Sequence, residues 1–120
     1  MGEMRVLIGY EDSHRSYGET MAGAIRWLRP GMEVSLARAE DLGDEVGRLD
    51  PHLVVCNRKN AVDPGGRAAW ARLSDEPDGP SEFCVGGRHR SLKNPSFGEL
   101  LEILDEAEES VRGGQELGGC

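Results

Sequence analysis

Three residues in this chain stand where chemistry could be done. Glu11 and Asp12 are adjacent carboxylates directly after the run RVLIGY (5–10), and Asn57 closes the run LVVCN (53–57). Two neighbouring carboxylates repel each other unless water or a cation lies between them. Hard oxygen ligands completed by an amide and water suit Mg²⁺. Glu11, Asp12 and Asn57 are therefore a candidate Mg²⁺ site, and no cofactor is otherwise required. The same residues have a plainer use: Asp12 or Ser13 caps the helix that follows, and Glu11 is simply solvated.

A second group is cationic. Arg58, Lys59 and Arg67 follow Asn57, and Arg88, Arg90 and Lys93 lie in the stretch GRHRSLKN (87–94), which reads as a basic loop. If both stretches meet at one edge of a sheet, Arg58, Lys59, Arg88, Arg90 and Lys93 form a site for a small anion, because guanidinium groups bind oxyanions in a two-pronged way. The alternative is solvated charge that balances nearby acids. Gly86-Gly87 would let backbone approach a ligand, but lacks the strand–loop–helix glycine pattern of a dinucleotide site. Histidine as a residue type suits general base work near neutral pH, so His14, beside Glu11 and Asp12, and His89 are the candidate bases. Ser13 and Ser16 near His14 do not form a nucleophile elbow. His52 opens a strand and packs.

The elements that must position these groups follow from the pattern of apolar residues. RVLIGY is a buried strand. Tyr17, Met21, Ile25 and Leu28 recur at helical spacing until Pro30-Gly31 ends the helix. MEVSLAR (32–38) alternates as a second strand. Glu40 to Leu49 is a short acidic helix with Leu42, Val46 and Leu49 on one face, weakened by Gly43 and Gly47 and broken by Asp50-Pro51. Leu53 to Cys56 is apolar on both faces, as in a central parallel strand. AAWARLS (68–74) and SEFCVGG (81–87) are strand candidates that suggest a hairpin. Ser96 and Glu99 spell a capping box before a helix with the stripe Phe97, Leu100, Leu101, Leu104, Ala107 and Val111. The order β-α-β-α-β, an irregular or hairpin β region and then α implies a mainly parallel sheet between helix layers. Ligands in such sheets bind where the carboxyl ends of the strands meet their loops.

These segments resemble a family. RVLIGYEDSH resembles the first strand and acidic pair of response-regulator receiver domains. DPHLVVCN resembles their third strand, which ends in the phosphate-accepting aspartate. VDPGG resembles the turn that follows, and LKNPSFGELLEIL their lysine–proline step and final helix. The resemblance implies a flavodoxin/receiver-like three-layer sandwich. It departs from the family at Asn57, a neutral amide where the acceptor carboxylate should attack a phosphoryl group. It departs again at Asn94, which separates Lys93 from Pro95, and in the short passage from Gly65 to Lys93. The resemblance thus implies a degenerate, non-phosphorylating receiver over residues 1–112, acting in signalling through a protein partner, with Asn57 at the silent acceptor position and a flexible tail over 113–120. The alternative is a flavodoxin-like domain that binds a small molecule or anion at its strand-end loops.

Composition narrows the field. A chain of 120 residues suits one domain and buries a core without metals or disulfides. A net charge of -8 opposes nonspecific nucleic-acid binding, which needs clustered cations. No apolar run approaches a membrane span, and MGEMRVLIGY lacks the features of a signal peptide, so no membrane association and a cytoplasmic location are expected. Cys56, Cys84 and Cys120 have neither metal nor redox spacing. Trp27 lies off the main stripe of its helix and could mark a partner surface.

Overall fold

Val6, Leu7 and Ile8 put apolar side chains on both faces of one strand, which demands cover on both sides. They lie in β1 (Met4–Tyr10), and all three are buried. The computed structural model describes residues 4–57, 68–74, 76, 79–114 and 117. Along the chain β1 is followed by a 3₁₀ turn (Asp12–His14), α1 (Arg15–Leu28), β2 (Met32–Arg38), a 3₁₀ turn (Ala39–Asp41), α2 (Leu42–Leu49) and β3 (Leu53–Asn57). Then come β4 (Ala69–Leu73), β5 (Pro80–Val85), β6 (Arg88–Lys93) and α3 (Phe97–Arg112). The described strands form one sheet in the order β2-β1-β3-β4-β5-β6. The first four strands in that order pair in parallel; β5 is antiparallel to both β4 and β6.

Strand parity divides the core. Val6, Ile8, Val55, Ala71 and Phe83 face α1 and α3. Leu7, Val54 and Cys56 face α2 through Leu42, with Val46 and Leu49 packed against them. The chain is thus α/β, with a mixed six-stranded sheet and three α-helices among the described residues. None of these helices is long and apolar enough to cross a membrane.

Several local expectations change. The stretch 87–94 is no basic loop: Arg88–Lys93 is the edge strand β6, and Gly86 and Gly87 form its turn with φ of 61° and 79°. A two-residue turn with both φ positive matches the twist of the hairpin it joins, so this glycine pair serves the turn. The hairpin expected of 68–74 and 81–87 is present as β4 and β5, and β6 adds a second hairpin to it.

The buried face of α1 is Gly18, Met21, Ala22 and Ile25, one position away from the expected stripe, and Tyr17 and Leu28 are exposed. Neither Asp12 nor Ser13 caps α1, because Asp12 is held by Arg38 and Ser13 meets the His14 ring. The α2 helix begins at Leu42, after a 3₁₀ turn. The Ser96/Glu99 capping box is present in both directions. Beyond Gly113, Leu117 is buried and its carbonyl accepts the Gly86 amide at 2.7 Å, so the expected free tail does not extend to this residue.

Candidate functional site

The path from β1 to β2 runs through α1 on one face, and the path from β2 to β3 runs through α2 on the other. Between β1 and β3 the helices part to opposite faces, and a crevice opens at the carboxyl ends of the strands. A cavity of about 300 Å³ lies there. Its floor is apolar: Ile8 of β1, Met21 of α1, Val55 of β3 and Leu73 of β4. Tyr10 and Tyr17 bring aromatic rings, and Glu11, His14, Asn57 and Ser74 bring polar groups.

Two glycines set the local geometry. A Cβ on Gly18 would lie 3.0 Å from the Tyr10 Cβ, so the missing side chain lets α1 approach the end of β1. A Cβ on Gly9 would lie 2.8 Å from a Leu42 methyl, so α2 presses on the opposite face at the same level.

The residues singled out from the sequence divide at this point. Glu11 and Asn57 line the cavity together. Asp12 does not. Its two carboxylate oxygens accept from the Arg38 guanidinium at 2.8 and 3.2 Å, and it lines a separate hollow with Arg38 and Glu40. That hydrogen bond is the main reason the Arg38 pKa is raised above its ordinary value. The structure therefore brings two of the three candidate Mg²⁺ ligands to one cavity and turns the third toward a side-chain cation. Among the described residues no group of three or more His, Cys, Asp or Glu could hold a metal ion. His14 sits at the cavity wall, with its Nδ1 3.0 Å from the Ser13 hydroxyl.

Among the described residues, the cations of β6 do not converge on Asn57. Arg58, Lys59 and Arg67 lie outside the described residues, as do the VDPGG turn and Cys120. Arg88 and Arg90 both bond the Glu106 carboxylate of α3. Topology explains the separation. Because β5 runs antiparallel, the loop after it falls at the amino edge of the parallel strands, opposite Asn57. Only Lys93, at the far end of β6, returns to the carboxyl edge. It stands three strands from Asn57, and the register puts Leu92, not Lys93, on the face that Asn57 shares with Leu73.

His89 approaches the Trp70 ring edge-on at 5.8 Å, and the Arg72 guanidinium lies 4.0 Å over the same ring. Trp70 thus packs against His89 and Arg72. Sequence reasoning missed Tyr17 and Ser74 as cavity residues. Tyr17 was legible only as a helix position, and Ser74 only as the last residue of a strand candidate. No family model, no curated protein and no solved structure matches this chain.

Proposed function

We propose that this chain is a flavodoxin-like domain that binds an uncharged, partly aromatic small molecule in the cavity between the ends of β1 and β3. One observation carries the reading: a cavity of about 300 Å³ opens where the connecting helices change faces. That position is where open α/β sheets hold their ligands. The volume is at the lower end of small-molecule sites, and a mostly apolar lining with a few polar groups is what such sites present. The apolar floor takes a ring or short chain, and the polar groups at the rim, Asn57 among them, orient it.

The test is a titration of the ¹⁵N-labelled chain with 4-nitrophenol, at a pH low enough to keep the phenol un-ionised. Shifts of the Gly9, Tyr10, Asn57 and Ser74 amides support the reading. Shifts confined to other surfaces, or none at millimolar probe, overturn it.

A receiver-like interaction module without phosphotransfer is the second reading. It is favoured by the parallel order β2-β1-β3-β4 and by Glu11 and Asn57 on one cavity. Trp27 (84% exposed) and the neighbouring exposed Leu28 offer a surface for a protein partner. Mg²⁺ binding in this reading requires Asp12 to leave Arg38. The discriminating variant is Asn57→Asp, treated with Mg²⁺ and acetyl phosphate. In a receiver-like site the new carboxylate oxygen attacks phosphorus, acetate leaves, and an alkali-labile phosphoryl adduct is seen by intact mass. An unmodified mass in both forms counts against this reading.

A further inference from the structure

The strand-end cavity has a neighbour. A second hollow of about 290 Å³ lies between the ends of β4, the start of β5 and the first turn of α3. The two share Tyr17, Leu73 and Ser74 as a common wall. Their chemistry differs. The first has the apolar floor described above. The second offers the Asn94 amide and the Glu76 carboxylate, with the Ser74 hydroxyl held by the Glu76 backbone, beside two exposed aromatic rings, Tyr17 and Phe97. Aromatic residues are costly to expose, yet α1 turns Tyr17 outward instead of into the core, and α3 does the same with Phe97, the first residue of its apolar stripe. Both rings stand at this one hollow. Asn94 is held at φ 46°, in the left-handed region, directly before Pro95 and the capped start of α3, so its backbone position is fixed.

Resting on the small-molecule reading above, we infer that the ligand is two-part: an aromatic or apolar group in the first cavity, joined to an uncharged hydroxyl-rich group, of the kind a sugar supplies, in the second. Flat aromatic rings cover the apolar face of such a group while amide and carboxylate side chains bond its rim. The shared wall at Tyr17 and Ser74 is where the linkage between the two parts crosses. The ligand class is therefore an aryl glycoside or a close chemical equivalent, and the second hollow sets specificity for the polar part.

The test compares three probes on the ¹⁵N-labelled chain, at a pH low enough to keep all three uncharged: 4-nitrophenol, glucose and 4-nitrophenyl β-D-glucoside. The glucoside is expected to bind about tenfold tighter than 4-nitrophenol and to add shifts at Asn94, Phe97 and Ser81 to those at Gly9 and Asn57. Asn94→Gly, which suits a positive φ, should remove most of that gain. If 4-nitrophenol binds the first cavity but the glucoside binds no tighter and leaves Asn94 and Phe97 unmoved, the two-part ligand is wrong while the small-molecule reading stands. If 4-nitrophenol itself leaves the first cavity unmoved, the underlying reading fails, and the two-part inference fails with it.

Discussion

Gly9 and His52 show how single positions hold the frame of this site. Gly9 is the point at which the fully buried Leu42 meets β1, and a Cβ there would stand 2.8 Å from a Leu42 methyl. Gly9→Ala should therefore destabilise the fold by about 1–3 kcal/mol, the range for overpacking. In a Leu42→Ala background the same change should cost less, because the methyl it strikes is gone. Urea unfolding of the four proteins measures this, and equal costs in both backgrounds would exclude the contact as the cause.

His52 is the second case. Its Nδ1 accepts the Arg5 amide at 2.8 Å, and its own amide donates to the Arg5 carbonyl at 2.8 Å, which ties the start of β3 to β1. Burial, and next the Arg5 charge, lower the His52 pKa below the ordinary imidazole value. Stability from this neutral ring is fully present above about pH 6.5. Below that pH the unfolded chain takes up a proton that the folded chain refuses, so stability falls until the folded pKa is reached. His52→Asn keeps an acceptor oxygen and does not titrate. The loss of stability between about pH 7.5 and about pH 5.5 should be smaller in this variant than in the wild type, by denaturant midpoint.

At the scale of elements, α2 is the shortest of the three α-helices described. It has eight residues, and two of them, Gly43 and Gly47, add backbone freedom without packing need: a Cβ at either meets nothing within 4 Å. Gly47→Ala should stabilise the chain by about 0.5–1 kcal/mol and raise its thermal midpoint. A fall would mean that Gly47 serves a contact absent here.

The elements also show what was legible in the sequence. The parallel strands and the last helix had strong local signals: the apolar run of β1, the two-faced run of β3 and the capping box of α3 are each read from a few adjacent residues. The stripe of α1 was misplaced because Tyr17 and Leu28 have the right chemistry and spacing for the core but lie at its margin. β6 was missed because RHRSLK carries few apolar residues. An edge strand needs only one covered face, and there Arg88 and Arg90 are matched by Glu106 rather than by apolar contact. Edge strands rich in cations also discourage pairing with other chains. Asp105 and Glu106, which lie off the apolar stripe of α3, are clamps. Arg29 at the end of α1 holds both Asp105 oxygens, at 2.7 and 2.8 Å, and Glu106 holds β6. Such long-range pairs leave no local pattern.

At the scale of the whole molecule, the reversal of β5 decides what the site can be. Four parallel strands gather Glu11, Asn57 and Ser74 at one edge; the antiparallel β5 carries the loop before Arg88 to the other. The sequence placed Glu11 and Asn57 together because both follow apolar runs that can only be parallel neighbours. It could not separate Asp12 from them, since the Arg38 that captures it lies 26 positions away. Nor could it tell that β6 begins at the amino edge with Arg88 and reaches the carboxyl edge only at Lys93, since strand direction depends on a hairpin whose turn leaves only glycines as a sign.

The central claim, that the cavity between β1 and β3 takes a small aromatic molecule, is open to one direct measurement. Met21 lines the cavity, whereas Met4 and Met32 are buried elsewhere in the same core. The chain labelled with ¹³C at its methionine methyl groups would be titrated with 4-nitrophenol and followed by NMR. A saturable shift of the Met21 methyl, from the ring current of the bound probe, with Met4 and Met32 unmoved, is the predicted result. A Met21 signal that stays in place while the probe binds elsewhere or not at all would contradict the account.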